Sequence, residues 1–369
     1  MKKLTDICDI QYGYAFDSKY FTEDPVYPPL VRIRDVKRGY SETYYSGDYP
    51  EEYILTSGDL LIGMDGEFNI ARWKNNGALL NQRVCKLTAK KGINEEYLRF
   101  AMSKALKKIE QKTAFVTVKH LSAKELNKLQ LYVPDLSEQN KIAEILSRLE
   151  AIIDVRRQEL EKMDELIKSR FIEMFGDPHA NPFRYKQAKL SDVATYFNGL
   201  TYKPENVSEI GTIVLRSSNI QNNQLDFTDI VRVNCPVKDR LMVRENDILM
   251  CSRNGSAKLV GKVALIKEIQ EPMTFGAFML IIRSRYYRYL MTYFQLDAFR
   301  QQIKTGATTT INQITGRMLD DVMIPLPPMA LIEQFTIFVD QTEKSKVAVQ
   351  RALDETQLLF DSLMQKYFG

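Results

Sequence analysis

Along this chain the hydrophobic pattern changes rhythm twice, in the same order each time. Short apolar runs occur at DLLIG 59–63, QRVCKL 82–87, DILM 247–250, KVALI 262–266 and AFMLIIR 277–283. Clusters of Gly, Asn and Pro bound them, so they predict β-strands. NEEYLRFAMSKALKKIEQ at 94–111 and its counterpart YRYLMTYFQLDAFRQQIK at 287–304 predict helices. From Ser137 to Phe175 the period becomes helical throughout, with Leu146, Leu149, Ile153, Leu160, Met163, Ile167 and Met174 three or four apart or in phase, broken by Arg156 and Arg170. These 39 residues contain no Gly or Pro, and at about 1.5 Å per residue they make a rod of about 58 Å. Asp135 with Glu138 supplies an N-cap, and Gly176 with Pro178 a stop. A second rod runs from about Leu331 to Phe368, with a poorer seam: Thr342, Lys346 and Thr356 stand where the first has Leu149, Ile153 and Met163.

The two halves are copies of one plan. LTDICDIQYGYAF at 4–16 lies over LSDVATYFNGLTY at 190–202, matching Leu4 with Leu190, Asp6 with Asp192 and Gly13 with Gly199. LVRIRDV at 30–36 lies over VLRSSNI at 214–220, pairing Arg32 with Arg216 and Asp35 with Asn219. LTSGDLLIGMDG at 55–66 echoes VRENDILMCSRNG at 243–255, and SRFIEMFG at 169–176 echoes SLMQKYFG at 362–369. The expected fold class is α+β: two globular blocks, residues 1–134 and 188–328, and two long helices, 135–176 and 329–369, with a linker at 177–187. An apolar stripe of that length finds cover most economically on the other rod. An antiparallel coiled coil relating the blocks by a pseudo-two-fold axis is the expected arrangement.

Composition narrows the chemistry. Four cysteines make no CxxC, and there are only two histidines, His120 and His179. A disulfide scaffold, a zinc finger and most histidine-dependent catalysis are therefore not expected. No apolar stretch reaches the ~20 residues of a membrane span, and Asp6 and Asp9 interrupt any signal-peptide core. A soluble cytoplasmic protein without membrane contact is the expectation. There is no GxxxxGK[ST], no GxGxxG after a strand and no HExxH. Asp135, Glu138 and Lys141 resemble a nuclease fragment but are better explained as a helix cap, and Asn181-Pro182-Phe183 as a linker turn. Neither a catalytic constellation nor a cofactor or metal site is expected.

The net charge of +4 is small, yet it is unevenly placed. Residues 1–135 carry 21 basic against 18 acidic side chains and 188–330 carry 17 against 13, so these two segments together hold +7. The remainder, 136–187 and 331–369, holds −3. That division suits blocks that bind a polyanion and rods that bind protein. Candidate contacts lie in polar, glycine-hinged loops. CSRNGSAKLVGK at 251–262 offers Ser252, Arg253, Asn254 and Lys258, and KTGATTTINQITGR at 304–317 offers Lys304, Thr308, Thr309, Asn312, Gln313 and Arg317. QKTAFVTVKHLS at 111–122 offers Lys112, Thr117, Lys119 and His120, and the matched segments at 30–36 and 214–220 add Arg32, Arg34, Arg216, Ser217 and Asn219. Arg suits guanine edges and Asn or Gln adenine edges, whereas Lys and Thr suit phosphates. Asp65 and Glu67 make the first block's loop acidic, and carboxylates accept from cytosine, so the blocks are expected to read different sequences.

The block–rod–block–rod order, the Pro-rich approach to each rod with its Glu-Gln (PDLSEQNKIAEIL at 134–146 and PLPPMALIEQFTIF at 325–338), KTGATTTINQI at 304–314 and the Phe-Gly rod ends resemble the specificity subunit of a type I restriction–modification system. The resemblance covers nearly the whole chain. It implies two target recognition domains, each reading one half of a split double-stranded DNA site from the major groove. It implies rods that set the gap between half-sites and dock two methyltransferase subunits, with restriction and translocase subunits joining that core. A subunit of this kind has no activity of its own. The alternatives are a self-contained DNA-modifying enzyme with unfamiliar motifs, which would methylate or cut DNA without partners, and a coiled-coil scaffold for protein, which would lack salt-dependent DNA binding.

Overall fold

The structure is a computed structural model. It describes residues 1–112, 120–304 and 313–369, the side chains of Lys112 and Lys304 excepted. The chain divides into two compact units, Met1–Arg157 with Gln350–Gly369, and Gln158–Val349.

In the first unit, β1 (Cys8–Tyr12), β2 (Leu60–Gly63), β3 (Ile70–Arg72) and β4 (Val84–Ala89) form an antiparallel sheet in the order β1-β4-β2-β3. Leu87 lies opposite both Ile10 and Leu60. The run at 60–63 is apolar without alternation because both of its faces are covered. Leu60 and Ile62 pack with Tyr97, Leu98 and Ala101 of α1 (Glu95–Lys112), while Leu61 packs with Val31, Trp73 and Leu80 on the other side. α2 (Leu136–Phe175) begins where Glu138 N donates to Asp135 Oδ1 at 2.9 Å.

The second unit repeats the plan. β5 (Thr195–Asn198), β6 (Ile248–Cys251), β7 (Val263–Leu265) and β8 (Met279–Arg283) form a sheet in the order β5-β8-β6-β7. Ile282 lies opposite Tyr196 and Ile248, as Leu87 lies opposite Ile10 and Leu60. A short parallel pairing recurs too: Leu30–Val31 beside Ala78–Leu80, and Thr212–Leu215 beside Met273–Phe275. Gly13 and Gly199 are fixed by close backbone approach, since a Cβ would fall 2.0 Å from Asn81 O in one repeat and 2.1 Å from Gly276 O in the other. The helix expected over 287–304 is instead two, α3 (Tyr287–Tyr293) and α4 (Asp297–Lys304). Gln295 Nε2 takes the Met291 carbonyl at 2.9 Å, the acceptor its own N–H would need, and that N–H turns to Thr292 O instead.

α5 (Met329–Phe368) runs antiparallel to α2 within each unit. In the first unit Arg156 donates to Ala352 O and Thr356 Oγ1, while Ile142 and Leu146 share a core with Met364. In the second, Lys346 pairs with Asp164 at 2.5 Å, and Phe171, Phe175, Tyr289 and Phe335 form an aromatic cluster with centroids 4.9–5.6 Å apart. Thr342, Lys346 and Thr356, the polar positions of the second rod's seam, are all buried. Among the described residues no helix is long and apolar enough to cross a membrane.

Candidate nucleic-acid interface

The loops that leave the central strands are held by matched turns. Asp59 Oδ2 accepts from Thr56 N at 2.8 Å ahead of β2, and Asp247 Oδ2 from Arg244 N at 2.7 Å ahead of β6. Asp247 is buried and neutralised by a two-pronged bridge from Arg283, both contacts at 2.7 Å. Asp35 and Asn219 form a second matched pair, accepting from Arg32 N at 2.9 Å and Arg216 N at 2.8 Å. Asn219 is buried, and its amide also donates to Asp226 O and Asp229 O. Its side chain thereby ties the turn to the loop at 226–229.

Beyond the strands, three segments meet in each unit. In the second, Ile314 N donates to Ser252 O at 2.7 Å and Ser252 N to Phe278 O at 2.9 Å, while Arg253 and Gln313 lie side by side in a single bridge. Asn254 Nδ2 reaches Ser217 Oγ at 3.3 Å. Residues from 217, 252–254 and 313 are thus brought together. Ser252 is buried, Asn254 half-buried, and Arg253 and Gln313 exposed. The Arg253 guanidinium lies 5.5 Å from the centroid of Phe278, an exposed ring. A cleft of about 400 Å³ adjoins this group, lined by Tyr202, Arg216, Ser217, Ser218 and Phe278 among others. Arg216 pairs across to Asp229 at 2.7 Å. Lys258 and Arg317 are exposed.

The first unit has the same frame. Leu121 N donates to Met64 O at 2.7 Å, Met64 N to Arg83 O at 2.8 Å, and Asp65 and His120 form the bridge. His120 Nδ1 sits against Asp65 Oδ1 and 3.1 Å from Arg83 Nη1, and Arg83 lies 3.6 Å from Asp65 Oδ2. Arg32 and Arg34 are exposed; Arg34 touches Asp35 at 3.5 Å. Lys37 binds Glu67 at 3.1 Å, tying the helical turn after Arg32 to the loop after β2. Thr117, Lys119, Thr308, Thr309, Asn312 and the side chains of Lys112 and Lys304 lie outside the described residues.

Arg83 and Phe278 escaped sequence reading because both were counted into strands, at 82–87 and 277–283; the strands start at Val84 and Met279. The usable signal was the polar Asn81-Gln82-Arg83 turn and Gly276. Burial, reinforced by Asp9, pushes the Cys8 thiol up to about 12, and burial pushes Cys85 to about 12, so these two thiols stay protonated.

Residues 1–164 and 182–351 each match the family described as Type I restriction modification DNA specificity domain. The type I restriction enzyme EcoBI specificity subunit of Escherichia coli is 28% identical, over 99% of this chain and 84% of its own length. The EcoKI specificity subunit of Escherichia coli K12 is 25% identical over 71% of this chain and 61% of its own. The crystal structure of the type I restriction–modification S subunit from M. genitalium superposes with a TM-score of 0.59 at 14% identity, over 100% of this chain and 95% of that one. A chain from a structural study of type I complex assembly gives 0.53 at 18%, over 100% and 96%. Those likenesses carry the α+β fold with its long helices. With both repeats matched separately, the chain belongs to the type I restriction–modification DNA specificity family.

Proposed function

We propose that this chain reads a bipartite, asymmetric double-stranded DNA target within a type I restriction–modification complex, one half-site per repeat. The observation that carries the reading is the double family match, falling on two structurally duplicated blocks whose loop ends carry different side chains on one backbone frame. Residues 1–134 and 188–328 serve as the readers. α2 and α5 serve as the spacer and as the dock for two methyltransferase subunits, through which restriction subunits join. Exposed apolar residues along the rods, Ile145, Ile152, Val155, Val347 and Leu358, supply contact area for protein. The chain itself holds no chemistry in this account; it positions the methylating subunits over an adenine in each half-site.

Of the candidate residues, Arg253, Asn254, Gln313, His120, Arg216 and Ser217 serve as contacts from the loop ends, and Arg32, Arg34, Lys258 and Arg317 as flanking phosphate contacts. Asn219 positions its loop. Lys112, Thr117, Lys119, Lys304, Thr308, Thr309 and Asn312 complete the set as segments leading into His120 and Gln313. The test is exchange of residues 188–327 for the corresponding part of a relative, in a complex reconstituted with methyltransferase subunits. One half-site of the methylated sequence should change and the other stay. A change in both would overturn the two-reader account, as would methylation or cleavage by the purified chain alone.

A further inference from the structure

The repeat lets the chain serve as its own comparison. Three backbone positions are superposable by their hydrogen bonds: Met64 and Ser252 accept from Leu121 and Ile314, and donate to Arg83 and Phe278. The positions next to them bridge, Asp65 with His120 and Arg253 with Gln313. Beneath this frame apolar chemistry is kept, Leu60 matching Ile248, Ile62 matching Met250 and Leu121 matching Ile314, all buried, while at the frame position itself Met64 is exchanged for Ser252. At its outer edge chemistry is exchanged, acid for base, base for aromatic and imidazole for amide. Of the outer residues, Arg83 at 52% and Phe278 at 59% are open to solvent, and Asp65 is part-buried at 25%. A constant frame with exchanged tips is the arrangement expected where two copies read different base pairs.

Resting on the DNA-reading proposal, we infer that Asp65 with Arg83 and Phe278 with Gln313 are the base-discriminating pairs of the two readers, the first specifying a C·G pair and the second an A·T pair. The Asp65 carboxylate accepts from cytosine N4, and the Arg83 fork donates to guanine O6 and N7. Their mutual contact at 3.6 Å runs through Asp65 Oδ2 and the exposed Arg83 fork, while His120 holds Asp65 Oδ1, so the fork can swing to DNA and the carboxylate stays positioned by the imidazole. Gln313 presents donor and acceptor to adenine N6 and N7, while the Phe278 ring meets the thymine methyl. Arg253, stacked on Phe278, holds that ring in place and offers its remaining donors to phosphate.

The test uses the complex reconstituted with methyltransferase subunits on a randomised DNA library, mapping methylated sequences for wild type, Asp65→Asn, Arg83→Gln, Phe278→Ala and Gln313→Ala. Discrimination should fall about tenfold or more at one C·G pair of one half-site for the first two variants. For the last two it should fall equally at one A·T pair of the other half-site. Phe278→Leu, which keeps an apolar contact, should retain the A·T preference. An unchanged motif in the four variants, or losses at other kinds of base pair, overturns the inference while leaving the two-reader proposal standing. A wild-type complex with no sequence preference overturns both.

Discussion

Asn219 and Asp35 hold matching turns, yet they do different amounts of work. Asp35 accepts a backbone N–H in its repeat, whereas Asn219 accepts one and donates two, to carbonyls of Asp226 and Asp229. Asn219→Ala should therefore lower unfolding stability by roughly 2 kcal/mol, since three backbone partners lose their part-buried bonds to a buried side chain. Asn219→Asp, keeping the acceptor, should cost less. Denaturant unfolding of the two variants checks this, and equal losses would contradict it. The pairing of Arg32 with Arg216 and Asp35 with Asn219 was legible because turns of this kind accept few residue types. That Asn219 faces inward was not, because its two carbonyl partners lie 7 and 10 residues away in a loop without pattern. His120 reads in sequence as a lone residue, and only folding brings Asp65, 55 residues earlier, against it.

At the scale of elements, the rods were the most legible part of the chain, because a 3.6-residue period sustained over some forty residues has no competing reading. Their polar seam positions were visible too, but not their partners. Lys346 is buried against Asp164 and Glu343, and Glu343 in turn binds Lys267 at 2.5 Å. A buried ionic group of this kind fixes helix register more than it adds stability. Burial alone would raise the Glu343 carboxyl, but Lys267 and Lys346 outweigh it and hold the group below its ordinary 4.5. At Glu96, Arg99 and Arg72 overcome burial in the same way. A carboxyl depressed in the folded state contributes stability above its unfolded value, and that contribution is lost as pH falls through the folded value. Stability should thus stay flat in these groups' contribution above about pH 5 and decline below about 4.5. Glu343→Gln should show a shallower decline than wild type in urea midpoints between pH 7 and 3, and parallel curves would contradict the assignment. The break between α3 and α4 was invisible in sequence, because Gln and Leu are good helix formers and the tightened bonds of Gln295 N–H to Thr292 O and Leu296 N–H to Tyr293 O, with the Gln295 side chain on Met291 O, exist only in the fold.

For the whole molecule, a total charge of +4 says little until it is divided at the repeat into blocks at +7 and rods at −3. The assembled complex should accordingly bind DNA with an affinity that falls steeply as salt rises, and charge-neutral substitutions on the rods should leave that slope unchanged. If the rods set the gap between half-sites as proposed, removing two helical turns from matched stretches of α2 and α5 shortens the spacer by about 10 Å. That corresponds to about three base pairs. The central claim, that one chain carries two independent readers, is tested most directly by mapping methylated adenines in DNA modified by the reconstituted methyltransferase complex. The account predicts a split, asymmetric motif with one methylated adenine in each half. A continuous motif, a palindrome, or methylation without sequence preference would contradict it.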